Sequence, residues 1–186
     1  MNHPLRIVKD HDALATATGS LRRFLGMREH EPTELTFFVG GQIHIAHALN
    51  EREHVRLLAA AQKIRGFNGA YQLLNGPLSP DIFARYAPNA IHRAWNGRVS
   101  DREITQLRAI FLDCDPKRIK GISSTDAEKA SAKLVTDSVM ELLSNMLPAE
   151  AIGLGDSGNG YFILVALEAT TPTPETTRRI GELLKL

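Results

Sequence analysis

The sequence predicts an α+β fold in which strand and helix patterns alternate along the chain, as they do in α/β proteins. Short β-branched or apolar runs, typical of strands, are separated by segments with the 3.6-residue period of a helix. The 186 residues are 43% hydrophobic and 23% charged, an ordinary composition for a folded domain that excludes intrinsic disorder. Together these observations favour an α/β or α+β sheet with flanking helices.

The first half of the chain contains two predicted strands with a helix between them. Residues 35–39 form a β-branched and aromatic run that ends at two glycines. Asn50 is a suitable N-cap for a helix that stops before Gly66. A short strand is predicted over residues 70–74, and residues 78–98, which include two prolines, are predicted as short helix and loop.

The second half has clearer signals. Residues 107–114 are apolar on both faces apart from one arginine, which is typical of a central strand covered on both sides. Thr125 and Glu128 have the spacing of a capping box, so we expect a helix from there to about Met146. An apolar run over residues 161–167 follows a glycine-rich turn and reads as a strand, and a last helix is expected after it.

The chain is predicted to be one domain with an N-terminal extension. Residues 1–31 carry charge runs and only a weak helical pattern, so we expect a mobile arm there. Residues 32–186 contain no linker rich in Pro, Gly or Ser that could divide them.

Charge and cysteine usage narrow the possible functions. Lys and Arg number 22 against 21 Asp and Glu, a net charge of +1 that argues against binding polyanions by charge alone. Cys114 is the one cysteine, which fits a reducing compartment. Since no apolar run approaches the roughly 20 residues that span a bilayer, we expect a cytoplasmic protein without a membrane partner.

The first candidate site is the pair Asp113 and Asp115 at the end of the predicted strand 107–114. Side chains alternate across a strand, so the two acids share a face and Cys114 points to the other. Two close carboxylates repel each other unless a cation lies between them, and hard oxygen ligands suit Mg²⁺ or Mn²⁺. The alternative is an exposed pair of acids that caps the following turn.

A basic loop follows these acids. Three cations lie within residues 117–120, and Arg118 has the planar guanidinium that grips a phosphate with two parallel hydrogen bonds. The loop leaves the strand end at which a metal would bind, so a nucleotide's phosphates could meet both. A solvated charge run is the simpler alternative.

The second candidate is the glycine-rich segment 153–160. It contains a literal G-x-G-x-x-G, but that fingerprint must open a helix, whereas an apolar strand pattern follows here, so dinucleotide binding is rejected. A tight turn with convergent amides and the Ser157 hydroxyl is nonetheless suited to holding a phosphate. An ordinary glycine-rich turn is the alternative.

Four segments together resemble a known family. They are residues 99–104, 111–118, 121–128 and 156–161, and residues 71–75 are a weaker upstream match. In order and spacing they resemble the primase-polymerase domains of the archaeo-eukaryotic primase superfamily, most closely the forms carried by phages and plasmids. The resemblance covers residues 99–167.

The resemblance implies an RRM-like mixed sheet with flanking helices. It also implies a nucleotidyltransferase that joins nucleotides on a DNA template during replication. It implies Mg²⁺ or Mn²⁺ at Asp113 and Asp115 as catalytic ligands, and a nucleoside triphosphate held near Arg118 by the turn. The residues of that turn are Ser157, Gly158, Asn159 and Gly160, with Phe162 beside the triphosphate. Two metals would activate the attacking 3′ oxygen and neutralise the leaving pyrophosphate.

The chain departs from the family pattern at two points. Phe162 stands where the family usually has a histidine, and phenylalanine can neither donate a hydrogen bond nor carry charge. The family's third metal-binding acid lies on a strand beyond the glycine-rich turn, and Glu168 is about 20 Å along the strand from Phe162 at roughly 3.3 Å per residue. We therefore expect a domain that is incomplete before the third motif, with a C-terminal half or a helicase domain as a further partner.

Other residues are open to more than one interpretation. His44, His47 and His54 lie close in sequence, but no further ligand completes a zinc site, so surface or loop positions are expected. Trp95 and Tyr86 are interpreted first as core residues, with base stacking as the alternative.

Two other functions remain open at the level of sequence. One is a non-catalytic nucleic-acid-binding or nucleotide-binding module of a replication initiator or accessory protein, which Phe162 and the missing acid favour. The other is a nucleotide-sugar transferase that uses Asp-x-Asp with Mg²⁺, which leaves the Ser157 turn unexplained.

Overall fold

A computed structural model describes residues 11–76, 79–119 and 122–183, and it confirms the α+β class. The described residues form five α-helices and two antiparallel sheets. The helices are α1 (His11–Phe24), α2 (Glu51–Ala61), α3 (Pro80–Phe83), α4 (Asp126–Ser144) and α5 (Pro174–Leu183). The strands are β1 (Thr33–Val39), β2 (Gln42–Ala48), β3 (Phe67–Gln72), β4 (His92–Arg93), β5 (Leu107–Cys114), β6 (Ile152–Asp156) and β7 (Tyr161–Thr170).

The first sheet has the strand order β3-β1-β2-β4. β1 and β2 form a tight hairpin in which Val39 pairs with Gln42. Gly40 and Gly41 make its turn, with positive φ values of 55° and 77° that glycine adopts without steric cost. β2 was not predicted, because its histidines interrupt the apolar pattern expected of a strand.

The second sheet has the order β5-β7-β6. β7 pairs with both neighbours in antiparallel fashion, so β5 and β6 run parallel on either side of it. With α4 between β5 and β6, this is the connectivity of a split β-α-β unit. Among the described residues β5 lies at the edge and β7 at the centre, so the prediction of β5 as the central, doubly covered strand is wrong.

The expectation of one mixed sheet is also corrected. All strand pairs in the described residues are antiparallel and they belong to two sheets. The reason is local, since the hairpin connections β1-β2 and β6-β7 are short and short connections join antiparallel strands.

The main core lies between the first sheet and α2. Asn50 caps α2 as predicted, because its side-chain oxygen accepts a hydrogen bond from the Glu53 amide at 2.9 Å. Leu57 of α2 packs against the inner face of the sheet and is 1% exposed. The buried cluster comprises Leu35, Phe37, Val39, Ala46, Ala48, Leu57 and Ala61.

The two sheets are joined through the segment that follows β3. The side-chain oxygen of Asn75 accepts hydrogen bonds from the amides of Arg108 and Ala109 at 2.8 and 3.1 Å. Arg108 also forms an ion pair with Glu31. These contacts fix the start of β5 against the first half of the chain.

The described part of the predicted N-terminal arm is a packed element. α1 contacts α2, and Arg22 is only 1% exposed. Its guanidinium donates to the carbonyls of Arg28, Glu29 and Glu31 at 2.7 to 3.1 Å, which ties the helix to the chain leading into β1. For residues 11–31 the prediction of a mobile arm is therefore corrected, and residues 1–10 lie outside the described part.

No helix in the described ranges has the length and apolar character needed to cross a bilayer.

Candidate functional site

The two sequence-predicted motifs meet at one corner of the second sheet. β5 and β7 are antiparallel neighbours, so Asp113 lies opposite Phe162 and Cys114 opposite Tyr161. The turn that precedes β7 is thereby brought against the residue that follows β5. The Ser157 hydroxyl lies 3.5 Å from Oδ1 of Asp115.

The open face of the sheet carries Asp113. The pairing register aligns Asp113, Phe162 and Gly155 in one row across the three strands. Cys114 belongs to the opposite face, which α4 covers. Asp113 is exposed, so its carboxylate is accessible to a ligand from solvent.

The electrostatics of Asp113 favour a cation. Partial burial raises the pKa of this carboxyl, and repulsion from Asp115 raises it further, while Arg118 opposes both effects. A divalent ion between the two carboxylates would remove that repulsion. Two carboxylates fit one Mg²⁺ or Mn²⁺ whose remaining positions are filled by water and phosphate oxygens, which is how Mg²⁺ is usually bound.

The described residues contain no group of three or more His, Cys, Asp or Glu side chains that converge as metal ligands. Asp156 is the next acid along the sheet edge, and Lys129 holds both of its oxygens at 2.8 and 2.9 Å.

Arg118 lies beside the acids and is mostly buried. Its Nη2 donates to Oδ2 of Asp115 at 3.3 Å and its Nη1 donates to the carbonyl of Ile122 at 2.9 Å. The guanidinium therefore orients Asp115 and links it to the backbone at Ile122. The two-pronged grip on a phosphate stays a prediction, since these bonds use one N–H on each Nη and leave three N–H groups of Arg118, the buried Nε–H among them.

The Ser157–Gly160 turn is more closed than the sequence suggests. The Gly158 amide donates to Asp156 at 2.7 Å, and the Gly160 amide donates to the Ser157 hydroxyl at 3.0 Å. The Ser157 amide donates to the Gly160 carbonyl at 3.1 Å. With three amides used within the turn, the group that faces the acids is the Ser157 hydroxyl.

Asn159 and Gly160 shape the turn. Asn159 is 3% exposed, and its side-chain oxygen accepts from the Ser124 amide at 3.1 Å, which ties the turn to the loop before α4. A Cβ at Gly160 would lie 2.6 Å from the Cys114 carbonyl oxygen and 2.7 Å from Oδ1 of Asp115. Only glycine therefore allows the turn to approach β5 this closely.

Phe162 fills the space beside Asp113. Its ring stacks on that of Phe111 with centroids 5.4 Å apart and 25° between planes. The ring also covers Gly155, where a Cβ would overlap it. Gly153 similarly lies under the ring of Phe24, so packing explains the G-x-G pattern. The segment after the turn is the strand β7 and not a helix, which agrees with the rejection of a dinucleotide-binding fingerprint.

Three residues near this corner were missed by the sequence analysis. Phe111 is 49% exposed beside Asp113, and its position two residues earlier on the same strand could have revealed it. Ser124 and Lys129 come from the loop before α4 and from its first turns, and only the fold shows that they reach Asn159 and Asp156.

The three histidines do not converge. His47 and His54 are buried, at 0% and 2% exposed, so the expectation of surface or loop histidines is wrong for both. His47 pairs with Glu34 at 3.2 Å on the first sheet, whereas His54 lies in α2 near Arg22. His44 and His47 are three residues apart on β2 and therefore point to opposite faces.

No protein-family model, curated protein or solved structure matches the chain. The functional interpretation of the corner therefore rests on its own geometry and chemistry.

Proposed function

We propose that the chain is a nucleotidyltransferase-type primase-polymerase module that binds a nucleoside triphosphate and Mg²⁺ or Mn²⁺ at the end of β5. The observation that carries the proposal is the approach of the Ser157–Gly160 turn to Asp115, with 3.5 Å between Ser157 Oγ and Asp115 Oδ1, next to the Asp113 carboxyl that Asp115 repels. A cytoplasmic, reducing location belongs to the same proposal, because Cys114 is the chain's one cysteine.

Each part of the corner has a chemical role in this proposal. Asp113 and Asp115 hold the metal, which when bound activates the attacking 3′ oxygen and neutralises the leaving pyrophosphate. Arg118 keeps Asp115 in place and adds positive charge near the phosphates. Ser157 offers a hydroxyl to a phosphate oxygen, and the open face with Phe111 and Phe162 leaves apolar surface for the sugar or base.

A thermal-shift experiment tests binding. MnCl2 together with a deoxynucleoside triphosphate should raise the melting temperature, because a ligand that binds only the folded state stabilises it by mass action. Asp113→Asn should abolish most of this shift. In the absence of ligand the same variant should melt at the same or a higher temperature, since it removes the repulsion from Asp115.

Asp137→Asn is the matched control. Asp137 is an exposed acid on α4 that pairs with Lys133 on the same helix, so its loss should leave the ligand-induced shift unchanged. An equal shift in wild type and Asp113→Asn would mean that the triphosphate binds elsewhere, and the proposal would fail.

A non-catalytic nucleotide-binding or nucleic-acid-binding module is the second candidate. Two observations favour it. Phe162 occupies the row of Asp113 with a side chain that cannot contact phosphate through a hydrogen bond, and no third acid converges on the pair within the described residues. Triphosphate binding without nucleotide transfer would support this candidate over the enzyme.

A further inference from the structure

The loop that follows β4 presents the chain's one tryptophan to solvent. Trp95 is 66% exposed, the largest exposed aromatic surface on the described residues. Tyr86, which the sequence analysis grouped with it, is 4% exposed. The expectation of a core position is therefore right for Tyr86 and wrong for Trp95. We call residues 93–98, which are the last residue of β4 and the five that follow it, the Trp95 loop.

The Trp95 loop is held rigidly from below by Tyr86. The Tyr86 hydroxyl donates to the Gly97 carbonyl at 2.9 Å and accepts from the Asn96 amide at 2.7 Å. The Asn96 side chain donates to the Arg85 carbonyl at 3.1 Å. Gly97 completes the loop with a φ of 81°, which favours glycine. The loop is therefore pre-organised, and a ligand would not have to order it.

The rings beneath the loop support the indole without covering it. Tyr86 stacks on His92 with centroids 5.6 Å apart, and the indole of Trp95 lies 6.3 Å from Tyr86 and 6.4 Å from His92. Burying a large aromatic side chain is favourable. An indole that the fold supports and still leaves exposed is suited to packing against a ligand.

The Trp95 loop itself carries positive charge. The Trp95 loop contains Arg93 and Arg98 and no acid, and both arginines are exposed. Neither takes part in any of the ion pairs formed by the described residues, whereas nearby Arg85 pairs with Glu103. An exposed indole on the same short loop as two exposed arginines is complementary to a ligand that combines flat rings with negative charge.

We infer that the Trp95 loop is a contact site for single-stranded nucleic acid, in which a base stacks on Trp95 while Arg93 and Arg98 meet the flanking phosphates. Single-strand binders combine aromatic stacking platforms with cationic grooves in this way. The identification of the bound strand as a template rests on the proposed function, but the binding itself requires neither metal nor triphosphate.

Tryptophan fluorescence is a direct test, because Trp95 is the sole tryptophan. Adding an oligothymidylate without metal or triphosphate should quench the emission in a saturable way. With a dye-labelled oligothymidylate, Trp95→Ala should weaken binding by about five- to a hundredfold, the loss expected for one stacked base. Trp95→Phe should retain part of the affinity, since it keeps an aromatic face.

The arginines are tested by salt dependence. Arg93→Gln and Arg98→Gln should each weaken binding and lower the slope of log affinity against log salt by about 0.7, the value for one phosphate contact on a single strand. Leu142→Ala is the control, because Leu142 is an exposed apolar residue on α4, and it should bind the oligonucleotide as wild type does.

Two results would overturn the inference. One is oligonucleotide binding with unchanged tryptophan emission and equal affinity in Trp95→Ala, which would place the strand elsewhere. The other is an emission change that follows protein concentration rather than oligonucleotide, which would make the loop a contact between copies of the chain. The oligonucleotide experiments contain neither metal nor triphosphate, so their outcome does not depend on triphosphate binding at Asp113. The proposed function and this inference can therefore fail separately.

Discussion

Phe162 determines what the candidate site can do at the scale of single residues. Its ring stacks on Phe111 in the row of Asp113, where the resemblance to primase-polymerases leads us to expect a histidine. The benzyl group adds apolar surface beside the acids and removes a hydrogen-bond donor. The site therefore has a cation-favouring pair of carboxylates but fewer groups for the phosphates.

Phe162→His is expected to tighten binding of the triphosphate in the presence of Mn²⁺. A charge-assisted hydrogen bond to a phosphate oxygen contributes about 1.5 to 3 kcal/mol, or roughly ten- to a hundredfold in affinity. The melting temperature should fall modestly, because the stack on Phe111 is lost. Calorimetric titration and thermal melts measure the two effects. Unchanged affinity with a lower melting temperature would mean that Phe162 is a packing residue only.

At the scale of secondary-structure elements, the glycines of β6 make room for large side chains of neighbouring elements. Gly155 on β6 lies directly under the ring of Phe162 on β7, and Gly153 lies under Phe24 of α1. Small residues on β6 thus leave room for large ones from two other elements. The glycines that suggested a nucleotide fingerprint serve the sheet's packing.

Gly155→Ala should destabilise the protein by about 1 to 3 kcal/mol, because the new methyl group overlaps the Phe162 ring and overpacking costs this much. In a Phe162→Ala background the same change should cost much less, since the obstructing ring is gone. Denaturant unfolding of the four proteins gives the coupling. Gly181→Ala, at a helical position with no heavy atom within 4 Å of the added carbon, is the control. Additive effects of the two substitutions would contradict the contact.

The contact between α1 and α2 contains a buried histidine. Burial, and to a smaller extent the positive charge of Arg22, lower the pKa of His54 from its usual 6.5 to about 3. Folded protein therefore keeps His54 neutral, whereas unfolded chain takes up its proton below pH 6.5. The free energy of unfolding contributed by this difference is intact above pH 6.5 and is lost as the pH falls toward 3.

His54→Gln should flatten this acid limb. In wild type the unfolding free energy should fall by at most about 1.4 kcal/mol per pH unit from this one group, and the variant should lose that component. Urea unfolding at several pH values from 7 to about 4 measures the slope. His30→Gln, at an exposed position, should retain the wild-type slope. Equal slopes in wild type and His54→Gln would show that His54 does not protonate on unfolding.

At the scale of the whole molecule, the residues with proposed functions lie on different parts of the fold. The second sheet carries the acids and the glycine-rich turn, the first sheet is joined to it through Asn75 and Arg108, and the Trp95 loop extends from β4. The proposed triphosphate binding depends on the acids and the turn, and the inferred contact with single-stranded nucleic acid depends on the Trp95 loop.

Primer extension by this chain is expected to be weak or absent even with Mn²⁺. Two-metal nucleotide transfer depends on a complete set of ligands, and within the described residues the pair Asp113 and Asp115 is joined by no third acid. Gel analysis of a labelled primer on a template measures extension, with Asp113→Asn as the baseline. Robust extension by wild type that Asp113→Asn abolishes would show that two carboxylates suffice.

Much of the local structure could be predicted because it depends on residues close in sequence. The Asn50 cap, the Thr125–Glu128 capping box and the strand that ends at Cys114 all appear as expected. Capping and periodicity involve contacts within a few residues, so the order of residues alone specifies them. The same holds for the rejection of the dinucleotide fingerprint, since a strand pattern follows the turn.

Tertiary structure decided what depends on distant pairing. β2 and the burial of His47 become intelligible only when His47 lies across from Glu34, because a buried histidine needs a partner that strand register supplies. The hydrogen bonds that close the Ser157–Gly160 turn and the contacts of Tyr86 with the Trp95 loop also depend on the fold, because they are not evident from the sequence. The sequence by itself determined which chemical groups the chain carries at each strand end. Antiparallel pairing of β5 with β7 decided that Asp115 and Ser157 meet, since residues 42 positions apart come together only through a sheet.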